Sequence, residues 1–143
     1  MTIDIKDFRI GNIFQPLFTN NDGTKFIPTD VFYKAIKIKS STIVAVNASI
    51  ENSATPKEFC IDSIAPISLS ENVILNCGFK ESLFVMLYIL SISETEYFAI
   101  QRDPISGKYH EIRYGKEIES LNKLQNIFYD LTNLELEVNL ANL

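Results

Sequence analysis

An α+β fold is predicted by three features of this sequence. Short segments rich in β-branched and aromatic residues, punctuated by turn residues, fill roughly the first forty-five positions. A short, sharply capped helix follows near residue 70. At Ile118 the hydrophobic spacing changes from two to three and four, the period of an amphipathic helix. The expected order is an N-terminal β-meander or half-barrel, the short central helix, an antiparallel sheet, the amphipathic C-terminal helix and a last edge strand. At 143 residues the chain fits one domain, 1–143, with a change of character near 50–60.

Taken in order, Phe8 to Phe14 reads as a strand, with Gly11-Asn12 marking a bulge or a close backbone approach. Asn20-Asn21-Asp22-Gly23 is a turn, because these residues tolerate positive φ. Val31 to Ile38 is a strand with Phe32, Ile36 and Ile38 spaced for one face, and Thr42 to Val46 follows across Ser40-Ser41. The polar stretch Asn47 to Pro56 reads as a surface loop, and Glu58 to Ile61 as a short strand. Ser70 then supplies a helix N-cap, Glu71 suits the positive helix end, and Gly78 supplies the left-handed stop. Val73, Ile74, Cys77 and Phe79 would anchor this two-turn helix.

Leu83 to Ile92 is a continuous apolar run, expected as a central, doubly buried strand, with Tyr97 to Gln101 pairing across Ser93–Glu96. After the Asp103–Gly107 turn, Tyr109 to Tyr114 alternates, Ile112 and Tyr114 on one face, Glu111 and Arg113 on the other. Ile118, Leu121, Leu124, Ile127, Phe128 and Leu131 make an amphipathic helix of about four turns, ended by Thr132-Asn133. Leu134 to Leu140 alternates strictly and reads as an edge strand with its glutamates in water, open to pairing with a second copy as a homodimer.

Composition bounds the function. Hydrophobic residues make up 46% and charged residues 22%, a balance that folds a core without a metal or disulfide staple. Thirteen basic against eighteen acidic residues give a net charge of −5, which argues against a general nucleic-acid coat. The first residues alternate charge and lack a signal-peptide core, and the longest apolar run, Leu83 to Leu90, is 8 residues against the ~20 a bilayer needs. A cytoplasmic protein without membrane contact is expected. Cys60 and Cys77 sit among apolar neighbours with no CxxC partner, and read as buried structural thiols.

Three segments carry a resemblance: Ile5 through Asn12, Pro66 through Phe79, and Leu121 through Thr132. They resemble a family of small uncharacterised proteins of Bacteroidota phages, prophages and mobile elements, with an "LRIGN" start, a central "PI-x-LTEEWLLKFGF" and a final "HQLQNLYFALTGEEL". Order and spacing match over most of the chain. Asn72-Val73-Ile74 stands where the family has Glu-Trp-Leu, and Asn133-Leu134 replaces its Thr-Gly exit. These are packing and capping motifs, so the resemblance implies a phage or mobile-element context inside a bacterial host, on the virion or free, and no particular activity.

The inventory of chemistry is thin. His110 is the only histidine, and there is no GxSxG, P-loop, dinucleotide fingerprint or HExxH. The carboxylate pairs Glu94/Glu96, Glu117/Glu119 and Glu135/Glu137 are two apart, which on strands gives one solvated face rather than opposed acids. No catalytic residue, cofactor or metal ligand is therefore assigned. Lys34, Lys37 and Lys39, with Tyr33 alongside and no acid between Val31 and Ile50, form the one local charge asymmetry. They are the candidate nucleic-acid surface, lysines tracking phosphates and the aromatic stacking a base. From Lys116 on, two lysines face five acids, an acidic end suited to a basic partner. The leading expectation is a non-enzymatic protein acting by protein–protein contact, as a virion accessory or an inhibitor of a host factor. A nucleic-acid module on the 31–46 strands is the alternative, and an unfamiliar enzyme around His110, Glu111 and Arg113 the third.

Overall fold

The computed structural model describes residues 3–49, 55–84 and 86–143. It is an α+β structure built on two five-stranded antiparallel sheets. The chain enters through a 3-10 turn, Ile5–Asp7, capped by the Asp4 side chain on the Lys6 N–H. Strand β1 is confined to Ile13–Pro16, because Gly11 adopts a φ of +95° and breaks the extended path expected from Phe8. A small hairpin of β2, Phe18–Thr19, and β3, Lys25–Phe26, closes on the predicted turn. There Asp22 accepts from the Thr24 N–H and hydroxyl. Next come β4, Tyr33–Ile38, β5, Thr42–Asn47, β6, Lys57–Cys60, and β7, Ile64–Ala65. The first sheet runs β6-β5-β4-β1-β7, so the strands predicted before residue 47 share one sheet, with β1 beside β4 and β4 beside β5, and the separately predicted β6 adds the next neighbour. Of the predicted loop from Asn47 to Pro56, residues 50–54 lie outside the described residues.

The expected single face of Phe32, Ile36 and Ile38 does not form. The pairing of β4 with β5 shifts between Ala35 and Lys37, a bulge that inserts one residue and turns Ile36 out to solvent. Phe32 packs into one core cluster and Ile38 against the other.

Helix α1, Glu71–Asn76, is built as its caps dictate. Ser70 Oγ accepts from the Val73 N–H at 3.2 Å, and Gly78 takes a φ of +90° just past the end. The second sheet follows: β8, Lys80–Glu81, β9, Leu87–Ser91, β10, Tyr97–Arg102, β11, Tyr109–Glu111, and β12, Glu117–Ile118, in the order β12-β11-β10-β9-β8. The apolar run from Leu83 is therefore neither central nor all strand. β10 holds the centre, and Leu83 and Phe84 stand out in the β8–β9 turn. The three-strand antiparallel reading of this region holds, extended by one short strand on each side.

Helix α2 is Leu121–Thr132, not Ile118 onward, since Ile118 is spent on pairing with Tyr109. It buries Leu121, Leu124 and Phe128 and ends at Asn133, whose φ of +61° reverses the chain. One core cluster joins these residues to Ile13, Ile74, Phe79, Phe98, Ile100 and Ile118. The other holds Phe8, Phe14, Ile43, Phe59 and Ile64 under the first sheet. β1 serves both, sending Ile13 one way and Phe14 the other.

In the segment Leu134 to Leu140 the predicted alternation holds from Leu136 on, Leu136 buried and Val138 and Leu140 half-buried, with Glu135 and Glu137 exposed, whereas Leu134, expected on the apolar face, is exposed. The segment is not a strand. It lies extended with no ladder to a neighbouring strand, so the edge expected to form a homodimer is absent as a sheet edge. No helix among the described residues is long and apolar enough to cross a membrane.

Candidate functional site

The motifs that carried the resemblance meet in space. Gln125, on α2, accepts from the Ile13 N–H at 3.0 Å through Oε1 and donates to the Gly11 carbonyl at 3.1 Å through Nε2. Asn12 accepts from the Arg9 N–H at 2.7 Å and donates to Asn126 Oδ1 at 2.8 Å. Asn122 and Asn126 both donate to the Asp7 carbonyl. Asn12, Asn122 and Gln125 are all at least 98% buried. Helix side chains thus satisfy the backbone groups of this turn that its two bonds to β4, Gly11 N–H to the Ala35 carbonyl and Ala35 N–H to the Asn12 carbonyl, leave over. Arg9 completes the clamp. Its guanidinium stacks on Tyr129 at 4.3 Å and pairs with both Glu135 oxygens at 2.8 and 3.2 Å. That pairing holds the Glu135 carboxyl below the usual range. The network ties the N-terminal turn, α2 and the extended C-terminal segment together, and leaves the buried Arg9 Nε without a hydrogen-bond partner.

The three lysines of the candidate nucleic-acid surface do share a face. Register places Lys34 opposite Val46 and Lys37 opposite Val44, on the side away from Ala35, Ile38 and Ile43. Lys39 is bound to Glu58 at 2.9 Å, and that pairing lowers the Glu58 carboxyl. Tyr33 is on the other face. Its half-buried ring stacks on Phe14 at 6.2 Å and meets Phe59 edge-on at 4.7 Å, packing against the core under the first sheet rather than beside the lysines. The lysine face therefore lacks its expected aromatic and carries a carboxylate in its midst.

His110, Glu111 and Arg113 are not brought together as a catalytic set. Glu111 is buried, where alternation had put it on the same face as the exposed Arg113. It sits there because its two oxygens accept the Arg113 and Tyr114 N–H groups, both at 2.7 Å, closing the β11–β12 turn. His110 projects to the opposite face of β11 and pairs across to Gln101 and Glu117. A cavity of about 360 Å³ beside Tyr97, Ile112 and Thr132 includes Glu111, but both of that carboxylate's oxygens are spent on the turn.

Cys60 is exposed at the end of edge strand β6, a correction to the expected pair of buried thiols. Cys77 is buried, and burial pushes its thiol up to about 12. A hydrogen bond shared with Glu71 raises the Glu81 carboxyl, and burial, with the Glu71 charge nearby, pushes the Tyr88 hydroxyl up to about 12. Among the described residues no group of three or more His, Cys, Asp or Glu is placed to share a metal ion.

What sequence reasoning missed is an apolar sheet end. The β8–β9 and β10–β11 turns project from the same end of the second sheet, tied where the Arg102 N–H meets the Met86 carbonyl at 2.9 Å. At that end Leu83, Phe84 and Ile105 are 103%, 75% and 97% exposed. The signal was present in the sequence: Ser82 stands immediately before the apolar run, and its hydroxyl bonds both the N–H and the carbonyl of Phe84 to form a tight turn. Compared with protein-family models, with curated proteins and with solved structures, the chain matches none.

Proposed function

We propose that this protein is a non-enzymatic interaction protein of a Bacteroidota phage or mobile element, acting by protein–protein contact in the bacterial host as a virion accessory or an inhibitor of a host factor. The observation that carries the reading is the apolar sheet end. Three large hydrophobic side chains standing free on two neighbouring turns cost solvation until something covers them, and such patches mark contact surfaces. The partner that fits is a host or phage protein with an apolar cleft wide enough for two adjacent turns, Phe84 serving as the aromatic anchor. The phage context rests on the three-segment resemblance, whose residues are here spent on holding the fold.

The test is capture on the tagged protein after nuclease treatment, run beside the variant Leu83→Ser, Phe84→Ser, Ile105→Ser. A stoichiometric protein held by the natural sequence and lost by the variant supports the reading. Equal capture by both overturns it. The lysine face supports a second reading, a nucleic-acid surface on Lys34, Lys37 and Lys39, because all three share one face. Gel-shift binding abolished by Lys34→Glu with Lys37→Glu would favour that reading, and binding that survives both substitutions would remove it.

A further inference from the structure

The extended segment Glu135–Val138 is the common wall of two grooves. One, of about 660 Å³, is floored by Leu90, Ile92 and Phe128 and rimmed by Asn76 and Gly78. The other, of about 730 Å³, lies toward Ile10, Ile13 and Lys34. Leu136 anchors the segment in the core, Arg9 grips Glu135, and Asn139 donates to the Asn76 carbonyl at 2.8 Å. Between those anchors, no backbone hydrogen bond joins residues 135–138 to another described residue. A segment anchored at both ends, with backbone N–H and C=O groups unpaired along a groove, offers hydrogen-bond partners to an added strand although it belongs to neither sheet.

We infer that the groove floored by Leu90, Ile92 and Phe128 binds an extended peptide of alternating apolar and basic residues, added as a strand alongside Glu135–Val138. Extended backbone turns alternate residues to opposite edges, so Glu135 and Glu137 face the same edge as Asn139, whose N–H points to Asn76 on this groove's rim. Four residues span about 13 Å. Charge selects the occupant. Glu135 and Glu137 line both grooves, but this one has no Lys or Arg in its lining, whereas Lys34 in the other offsets the acidic charge there. Glu135 is already neutralised by Arg9, and Glu137 has no ion-pair partner among the described residues. A second copy is disfavoured, since antiparallel self-pairing centred on Leu136 sets Glu135 of one copy against Glu137 of the other, like charges directly opposite. The site is separate from the apolar sheet end and stands or falls independently of it.

The probes are a hexapeptide of alternating lysine and valine, the same peptide with glutamate for lysine, and the lysine peptide N-methylated at alternate residues. Binding is followed by calorimetry, with amide shifts read at Glu135 and Glu137. The lysine peptide is expected to bind one to one and move those amides. At least tenfold weakening is expected with Glu137→Lys, with N-methylation and with the glutamate peptide. Glu137 is exposed, so its variant keeps the fold, which circular dichroism checks. The variant Leu83→Ser, Phe84→Ser, Ile105→Ser is expected to bind the peptide unchanged. Failure of the lysine peptide to bind overturns the proposal, as does binding indifferent to N-methylation or to Glu137→Lys. Concentration-dependent dimers disrupted by Glu137→Lys would overturn it in favour of a second copy.

Discussion

Replacing Gln125 with leucine removes one side chain that serves two backbone groups at once. The volume is nearly kept and the Gln125 site is 2% exposed. The buried Ile13 N–H, bonded at 3.0 Å, is left unpaired, while the half-buried Gly11 carbonyl, bonded at 3.1 Å, is left facing a groove that water reaches. An orphaned buried donor costs about 1–3 kcal/mol, and that is the larger part of the loss, against a total stability of about 5–15 kcal/mol for a domain of this kind. At about 2 kcal/mol per molar urea, the unfolding midpoint should fall by about 0.5–1.5 M. The assay is equilibrium urea unfolding followed by both far-UV circular dichroism and tyrosine fluorescence, to check that the two transitions coincide. A Gln125→Leu midpoint within about 0.25 M of the natural protein would refute the claim that these amides hold the N-terminal turn.

Other expectations follow from local geometry. Gly78→Ala forces a side chain into a φ of +90° and should cost about 1–2 kcal/mol in the same unfolding assay, although Leu90, 3.5 Å from the new carbon, leaves room for it. Ser70→Ala should cost about 1 kcal/mol, because the Val73 N–H loses its cap. Native protein at pH 8 should react with one equivalent of a thiol reagent, at Cys60, and denatured protein with two, since Cys77 is buried with its thiol pushed up to about 12. Two fast equivalents in the native state would contradict the burial. Glu135, lowered by Arg9 from 4.5, stabilises the fold above the unfolded value, and that contribution is lost as pH falls through the lower folded value. Stability measured from pH 6 down to pH 3 should therefore fall less in Glu135→Gln than in the natural protein. The difference should be small, because the pair is partly exposed.

Much of the architecture was legible because caps and periods are local. Ser70 and Gly78 fix α1 from positions only a few residues apart, and the three-and-four spacing from Leu121 to Leu131 marks the buried side of α2 without reference to anything else. The misreadings are long-range. Alternation in Leu136–Leu140 correctly reported one buried face, yet periodicity says nothing about whether a neighbouring strand supplies a ladder, and here none does. The bulge at Ala35/Lys37 shifted the phase of β4 and sent Ile36 outward, which no count of hydrophobic residues anticipates. Tyr33 was read with the lysines because it adjoins them in sequence, whereas in a strand adjacent residues face opposite ways. Glu111 looked solvated until the Arg113 and Tyr114 N–H groups folded back onto it. The Arg9–Asn12 and Gln125–Asn126 motifs were visible as a pattern, but their mutual satisfaction joins positions more than a hundred residues apart.

The proposed contact surface is the apolar sheet end, where Leu83, Phe84 and Ile105 stand exposed. The most direct measurement places a photo-crosslinking phenylalanine analogue at position 84 and, separately, at position 37, irradiates the protein in host cells, and resolves the adducts after nuclease treatment. A discrete protein adduct from position 84, with none from position 37, is the predicted result. Adducts to nucleic acid from position 37 with none to protein from position 84 would contradict it.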